Sequence, residues 1–181
     1  MAISAKAPNF TLAEFERVSV RALNEQEREH AAWHAERLQA VRDALNETYL
    51  PPSSGGDWQV FVTSFVRSGS GDHATGAGVD WNVRDKNGNR YFDLTRWGRD
   101  WLAINRPNDF AELIFERDHT HAARRGFSQD ASANETPQIL DEPQEGRFVI
   151  ASIQAIPKPV RPVALALVVG GAAYLASKAL A

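Results

Sequence analysis

Two short segments gather the side chains that can hold a metal or move a proton. The first runs Ser64-Phe65-Val66-Arg67-Ser68, then Gly71-Asp72-His73-Ala74-Thr75-Gly76-Ala77-Gly78-Val79-Asp80. His73 and Asp80 stand seven residues apart, which suits no single helical face. A turn at Gly76 and Gly78 leading into a strand would bring imidazole and carboxylate to one point. The second segment, Glu116-Arg117-Asp118-His119-Thr120-His121, packs two imidazoles and two carboxylates into six residues. Alternating strand geometry puts His119 and His121 on one face and Asp118 on the other. Two histidines and one carboxylate, with a fourth position left to water, make a catalytic rather than a structural zinc arrangement. Zinc lowers the pKa of that water to about 7, and a nearby carboxylate can take its proton as it attacks a carbonyl. Both Asp118 and Glu116 qualify as that base. Read alone, the first segment is more often a polar loop than a metal site, and clusters like the second also occur as surface ion-pair networks.

Composition narrows the field. The absence of cysteine removes disulfide scaffolds, thiolate zinc sites and thiol nucleophiles, leaving His, Asp and Glu as ligands. Net charge is -3 and the sequence pI about 6.0, so no broad basic face favours nucleic acid. A chain of 181 residues is long enough for one domain with its own core. His30 and His34 have the i, i+4 spacing of a helical zinc pair but lack the glutamate of His-Glu-x-x-His. His34 falls on the apolar face of its helix, so the pair reads as one core and one surface histidine. The five tryptophans read as core, with Trp81, next to Asp80, also placed to line a cleft.

The elements that must position these residues follow from periodicity and punctuation. Thr11 and Glu14 have capping-box spacing for a short helix. Asn24 can cap a long amphipathic helix over 25–47, with Ala31, His34, Leu38, Val41 and Leu45 on its inner face. The Pro51-Pro52-Ser53-Ser54-Gly55-Gly56 run ends it. Trp58 to Val66 reads as a strand. Val79–Val83 and Arg90–Leu94 flank an Asn87-Gly88 hairpin signal, and 95–105 reads as a helix stopped by Pro107. A strand is expected over 110–116 with its continuation or return over 119–123, a surface loop or linker over 126–146, and a last strand over 147–156. Helices first and neighbouring strands afterwards predict an α+β fold with an antiparallel sheet and flanking helices.

The first segment resembles the Ser-x-His-x-x-Gly-x-Ala-x-Asp signature of the VanY-type D-alanyl-D-alanine carboxypeptidases and related phage endolysin peptidases, zinc enzymes of the Hedgehog/DD-peptidase fold. His73, Gly76 and Asp80 fall on its His, Gly and Asp. The second segment resembles the family's closing motif, in which a carboxylate stands three residues before the last ligand, here Asp118 and His121. Around them, Asn9 to Phe15, Leu38 to Leu45, Thr63 to Ser68 and Ala111 to Glu116 are similar to flanking elements, so the resemblance covers about residues 9–123. The chain departs from the pattern at Gly71, where the family has Ser, at Gly78, where it has Ala, and at Thr120, where an aromatic is common. The resemblance implies a Zn2+ held by His73, Asp80 and His121, with Asp118 favoured over Glu116 as base. It implies that Arg67 holds the substrate and stabilises the oxyanion, against a plain strand-end charge. His119 would donate to the oxyanion, orient Asp118, or be a solvated neighbour. The implied activity is hydrolysis of peptide bonds in bacterial peptidoglycan stem peptides or cross-bridges. The competing readings are a structural or interaction virion protein that keeps the fold without turnover, and a cytosolic dipeptidase.

The domain is therefore expected over 1–156, followed by a linker and an apolar C-terminal helix over 157–181. Residues 163–181 carry only Lys178 as a charge, close to the roughly 20 residues a membrane span needs. That segment reads as a membrane anchor, or as a helix packed on protein, including a virion partner. Met1 to Phe10 lacks the apolar run of a secretory signal, which with the resemblance points to a phage or prophage enzyme, associated with a virion or host membrane.

Overall fold

The computed structural model describes residues 1–141. The chain opens with a small antiparallel hairpin, β1 (Ala2–Ser4) and β2 (Ala7–Thr11), which the periodicity of so short a stretch does not reveal. Helix α1 (Leu12–Arg17) starts at Thr11, where Glu14 reaches back to the Thr11 amide as its spacing predicts. Helix α2 (Glu25–Thr48) is capped by Asn24, whose side chain accepts from the Glu27 amide while Glu27 accepts from the Asn24 amide. Ala31, His34, Leu38, Val41 and Leu45 are all buried, so the predicted apolar face is the observed one.

The main sheet has the order β3-β4-β6-β5-β7. Its strands are β3 (Gln59–Ser64), β4 (Gly78–Arg84), β5 (Phe110–Glu116), β6 (His119–Arg124) and β7 (Gln138–Asp141). Period-two alternation gives it two chemically different faces. Val79, Trp81, Val83, Leu113, Phe115, Thr120 and Ala122 are buried on one face. Helix α4 (Phe92–Asn105) packs against β4, β5 and β6 and against α2. The close approach needs Gly98: a Cβ there would stand 2.8 Å from Val41 Cγ1 and 2.9 Å from Trp81 Cη2. Trp81 is fully buried in this layer, as its core reading expects, and does not line a cleft. The opposite face carries Asp80, Glu112, Glu116, His119 and His121.

Three expectations are corrected. Arg90 makes only an isolated bridge to Arg84, and the chain enters α4 at Phe92 instead of extending as a second strand. Asp85 explains the turn, since its Oδ1 accepts from the amides of Asn87 and Asn89, and the Tyr91 carbonyl then starts the helix by accepting from the Thr95 amide. The stretch from 126 is not a plain loop. Asp130 caps a one-turn helix, α5 (Ala131–Glu135), and β7 follows, pairing in parallel with β5. Elements of five and four residues are too short to show periodicity, and β7 is fastened by Arg99, which donates to the Leu140 carbonyl and pairs with Asp141. The sheet is therefore mixed, not wholly antiparallel. Finally, among the described residues no helix is long and apolar enough to cross a membrane. The longest, α2, exposes Glu25, Glu29, Asp43 and Glu47. This overturns the transmembrane expectation as far as the described residues reach; the strand over 147–156 and the apolar segment over 157–181 lie outside them.

Candidate metal centre

His73 and Asp80 are brought together by the glycine-bracketed turn. His73 lies in α3 (Asp72–Thr75), a single helical turn closed by Gly76 at φ 73°. Gly76 is required twice over, because a Cβ there would also press to 3.2 Å from both Glu27 Cγ and Phe65 Cζ. Asp80 comes from β4 and His121 from β6, and the two residues are direct cross-strand partners. Their side chains therefore emerge side by side from adjacent central strands.

Three ligand atoms converge. His73 Nε2 lies 3.0 Å from Asp80 Oδ1 and 3.2 Å from His121 Nδ1, and His121 Nδ1 lies 3.0 Å from Asp80 Oδ1. Ligands at about 2.1 Å around a tetrahedral zinc are themselves about 3.4 Å apart, so the group needs to spread by only a few tenths of an ångström to accept an ion. The tautomer of His73 suits this. Its Nδ1 faces the Phe65 carbonyl, which can only accept, so the proton is on Nδ1 and the lone pair on Nε2 points into the group. Burial lowers the His73 pKa to about 4 and keeps the ring neutral. The structure thus brings together two groups of side chains that could bind a metal ion: His73, Asp80 and His121, and also Asp72, Glu112 and His121.

The surrounding charges are ordered. Arg67 pairs with the other oxygen of Asp80, Oδ2, and donates from Nε to Ser64 Oγ at 2.6 Å. His119 stands beside Asp80, its Nε2 3.3 Å from Glu116 Oε2 and 3.7 Å from Asp80 Oδ2. Its Nδ1 turns away, 3.0 Å from Asp118 Oδ1, and Asp118 also pairs with Arg90. Glu116 is thus on the site side of the His119 ring and Asp118 on the far side. Burial lowers the His119 pKa, but the hydrogen bonds its ring donates to Glu116 and Asp118 outweigh it and raise the value overall. The bond to His119 holds Glu116 below the usual carboxylate range.

The other helical histidines take no part. His34 is buried, with Nε2 donating to the Ala77 carbonyl at 3.0 Å, so it braces the turn between the ligands. His30 is 1% exposed and lies 3.2 Å from Arg124 Nη1, so it is buried too, contrary to its expected surface position. Sequence reading missed Asp72 and Glu112. A signal existed for Glu112: with Ile114 and Glu116 it shares the face of β5 that pairs with His121 and His119. Comparison of the chain with family models, curated proteins and solved structures gives no match.

Proposed function

We propose that the protein is a zinc-dependent hydrolase of amide bonds, acting on the peptides of bacterial peptidoglycan. The convergence of His73 Nε2, Asp80 Oδ1 and His121 Nδ1 within 3.2 Å carries this reading. The donor set supports zinc, since three protein ligands of two imidazoles and a carboxylate are those of catalytic zinc sites with an open fourth position. The substrate class rests on the motif resemblance around His73, Asp80 and His121.

Zinc in such a site supplies a Lewis acid for a carbonyl and makes water a nucleophile at neutral pH. The chain's own residues would do the rest. Glu116 Oε2, anionic and at the His119 nitrogen that faces Asp80, takes a proton from the attacking water and returns it to the leaving amine. The same role for Asp118 would require it to leave Arg90. His119, favoured in its protonated form by two carboxylates, donates from Nε2 to the oxygen that gains charge. Arg67 fixes Asp80 Oδ2 and presents a half-exposed guanidinium to a substrate carbonyl or carboxylate.

The test is elemental analysis of the full chain purified without chelators, paired with digestion of purified sacculi and mass spectrometry of the new peptide termini. The expected result is about one zinc per chain and new termini that disappear in His73→Ala. A chain that neither contains nor takes up zinc, or sacculi left intact by the zinc-loaded protein, would overturn the reading.

A further inference from the structure

His121 belongs to both potential ligand groups. Its Nδ1 faces Asp80 and His73 at 3.0 and 3.2 Å, while its Nε2 faces Glu112 Oε2 at 3.7 Å and Asp72 Oδ2 at 3.9 Å. A neutral imidazole has one lone pair and one N–H, so it cannot ligate a metal in both groups. One side must hold the ion and the other must take the proton. His73 settles which, because its own Nδ1 is committed to the Phe65 carbonyl and its free lone pair points at the Asp80 side.

The Asp72 and Glu112 side is built as an acceptor. Asp72 Oδ1 accepts from the Gln129 amide, and the Ser128 hydroxyl lies 3.1 Å from Asp72 Oδ2 and 3.3 Å from Glu112 Oε1. These contacts fix both carboxylates and leave Asp72 Oδ2 and Glu112 Oε2 flanking the imidazole. Asp72 is 8% exposed, so it is held at the ring rather than in solvent. Gly78 makes room for this arrangement. A Cβ there would meet Asp72 Cβ at 2.9 Å and His121 Cε1 at 3.0 Å, although the backbone at Gly78 is not in the left-handed region. That glycine is demanded by space, not by conformation.

We propose that Asp72 and Glu112 are positioning residues that accept the His121 Nε2–H and so hold the ring with its Nδ1 lone pair toward the metal. This rests on the zinc reading above. The two carboxylates stand about 1 Å beyond a charge-assisted hydrogen bond; the few tenths of an ångström by which the ligands spread around an ion cover part of that gap, and a turn of the Glu112 or Asp72 carboxylate toward His121 Nε2 covers the rest. A carboxylate behind a ligating histidine raises its basicity and fixes its tautomer.

The test measures zinc affinity of the full chain by chelator competition, and the His121 ring protons of the zinc-loaded protein by NMR. The wild type is expected to bind one equivalent and to show an exchange-protected His121 Nε2–H. The isosteric D72N/E112Q variant should bind zinc about 10–100-fold more weakly and lose that protected proton. A charge effect alone would weaken binding without moving the proton signal, and would overturn the proposal. So would unchanged affinity in the variant, or two equivalents in the wild type with one lost in D72N/E112Q, which would make the group a second metal site. If D72N/E112Q fails to fold, the wild-type ring decides alone: zinc bound through Nε2 overturns the proposal, and bound through Nδ1 with a protected Nε2–H supports it. No zinc binding by the wild type would instead sink the metal reading itself.

Discussion

Glu116 and Asp118 occupy opposite nitrogens of one imidazole, and that geometry gives them unequal weight. Glu116→Gln should lower kcat on peptidoglycan peptides by about 10²–10⁴-fold, the usual range for a lost proton-transfer group. Asp118→Asn should cost about tenfold, through looser orientation of His119. Steady-state assays of the two variants, with zinc content confirmed, decide the order; a larger loss at Asp118 would return the base to that residue. The sequence pattern favoured Asp118 because spacing to His121 is one-dimensional. Which side of the His119 ring each carboxylate takes depends on the two-residue turn between β5 and β6, and Arg90 arrives at Asp118 from 28 positions away. Spacing and glycines alone left His73, Asp80 and His121 as one possibility, and the motif resemblance singled them out, because His121 lies 41 residues beyond Asp80 and no local pattern joins them. Asp72 was not legible, since its role depends on space left by Gly78 and on the amide of Gln129, 57 residues on.

The β5–β6 turn stores a small strain. Arg117 has φ 43°, in the left-handed region where a side chain crowds its own backbone. Arg117→Gly should stabilise the protein by about 1 kcal/mol, read as a raised urea midpoint with an unchanged slope. The interface of α4 with α2 and the sheet responds in the opposite sense. Gly98→Ala adds about 1 kcal/mol of helix propensity, but it forces a methyl against Val41 and Trp81, where overpacking costs about 1–3 kcal/mol. The net effect should be a lowered urea midpoint. Helix α2, the body of α4 from Thr95 on and the strands β3 to β6 were readable from periodicity and turn signals, because each repeats its pattern over several residues, whereas the first turn of α4 was read as strand. The β1–β2 hairpin, α5 and β7 were not readable. They are three to five residues long, and tertiary partners such as Arg99 hold β7 in place.

For the molecule as a whole, His34 links stability to pH. Its ring is buried and its pKa falls to about 3, whereas the unfolded ring keeps its ordinary 6.5. Between those values the unfolded chain binds a proton that the folded chain refuses, so stability rises with pH across that window and is lost as pH falls from 6.5 toward 3. Urea midpoints of the zinc-free protein should show this slope, and His34→Gln, which can still donate to the Ala77 carbonyl, should reduce it, leaving the share that His73, lowered to about 4, contributes with the same sign. Zinc at a hundred times its Kd should add about 2.7 kcal/mol, seen as a higher melting temperature that a chelator reverses. The pairing of Asp80 with His121 on adjacent central strands also has a topological consequence. The exposed Asn87-Gly88 turn lies between them in the chain, so a cut there would put His73 and Asp80 on one fragment and His121 on the other. Reassembly of the two pieces would then be gated by the ion, making the protein divisible into halves that recognise each other best when zinc is present.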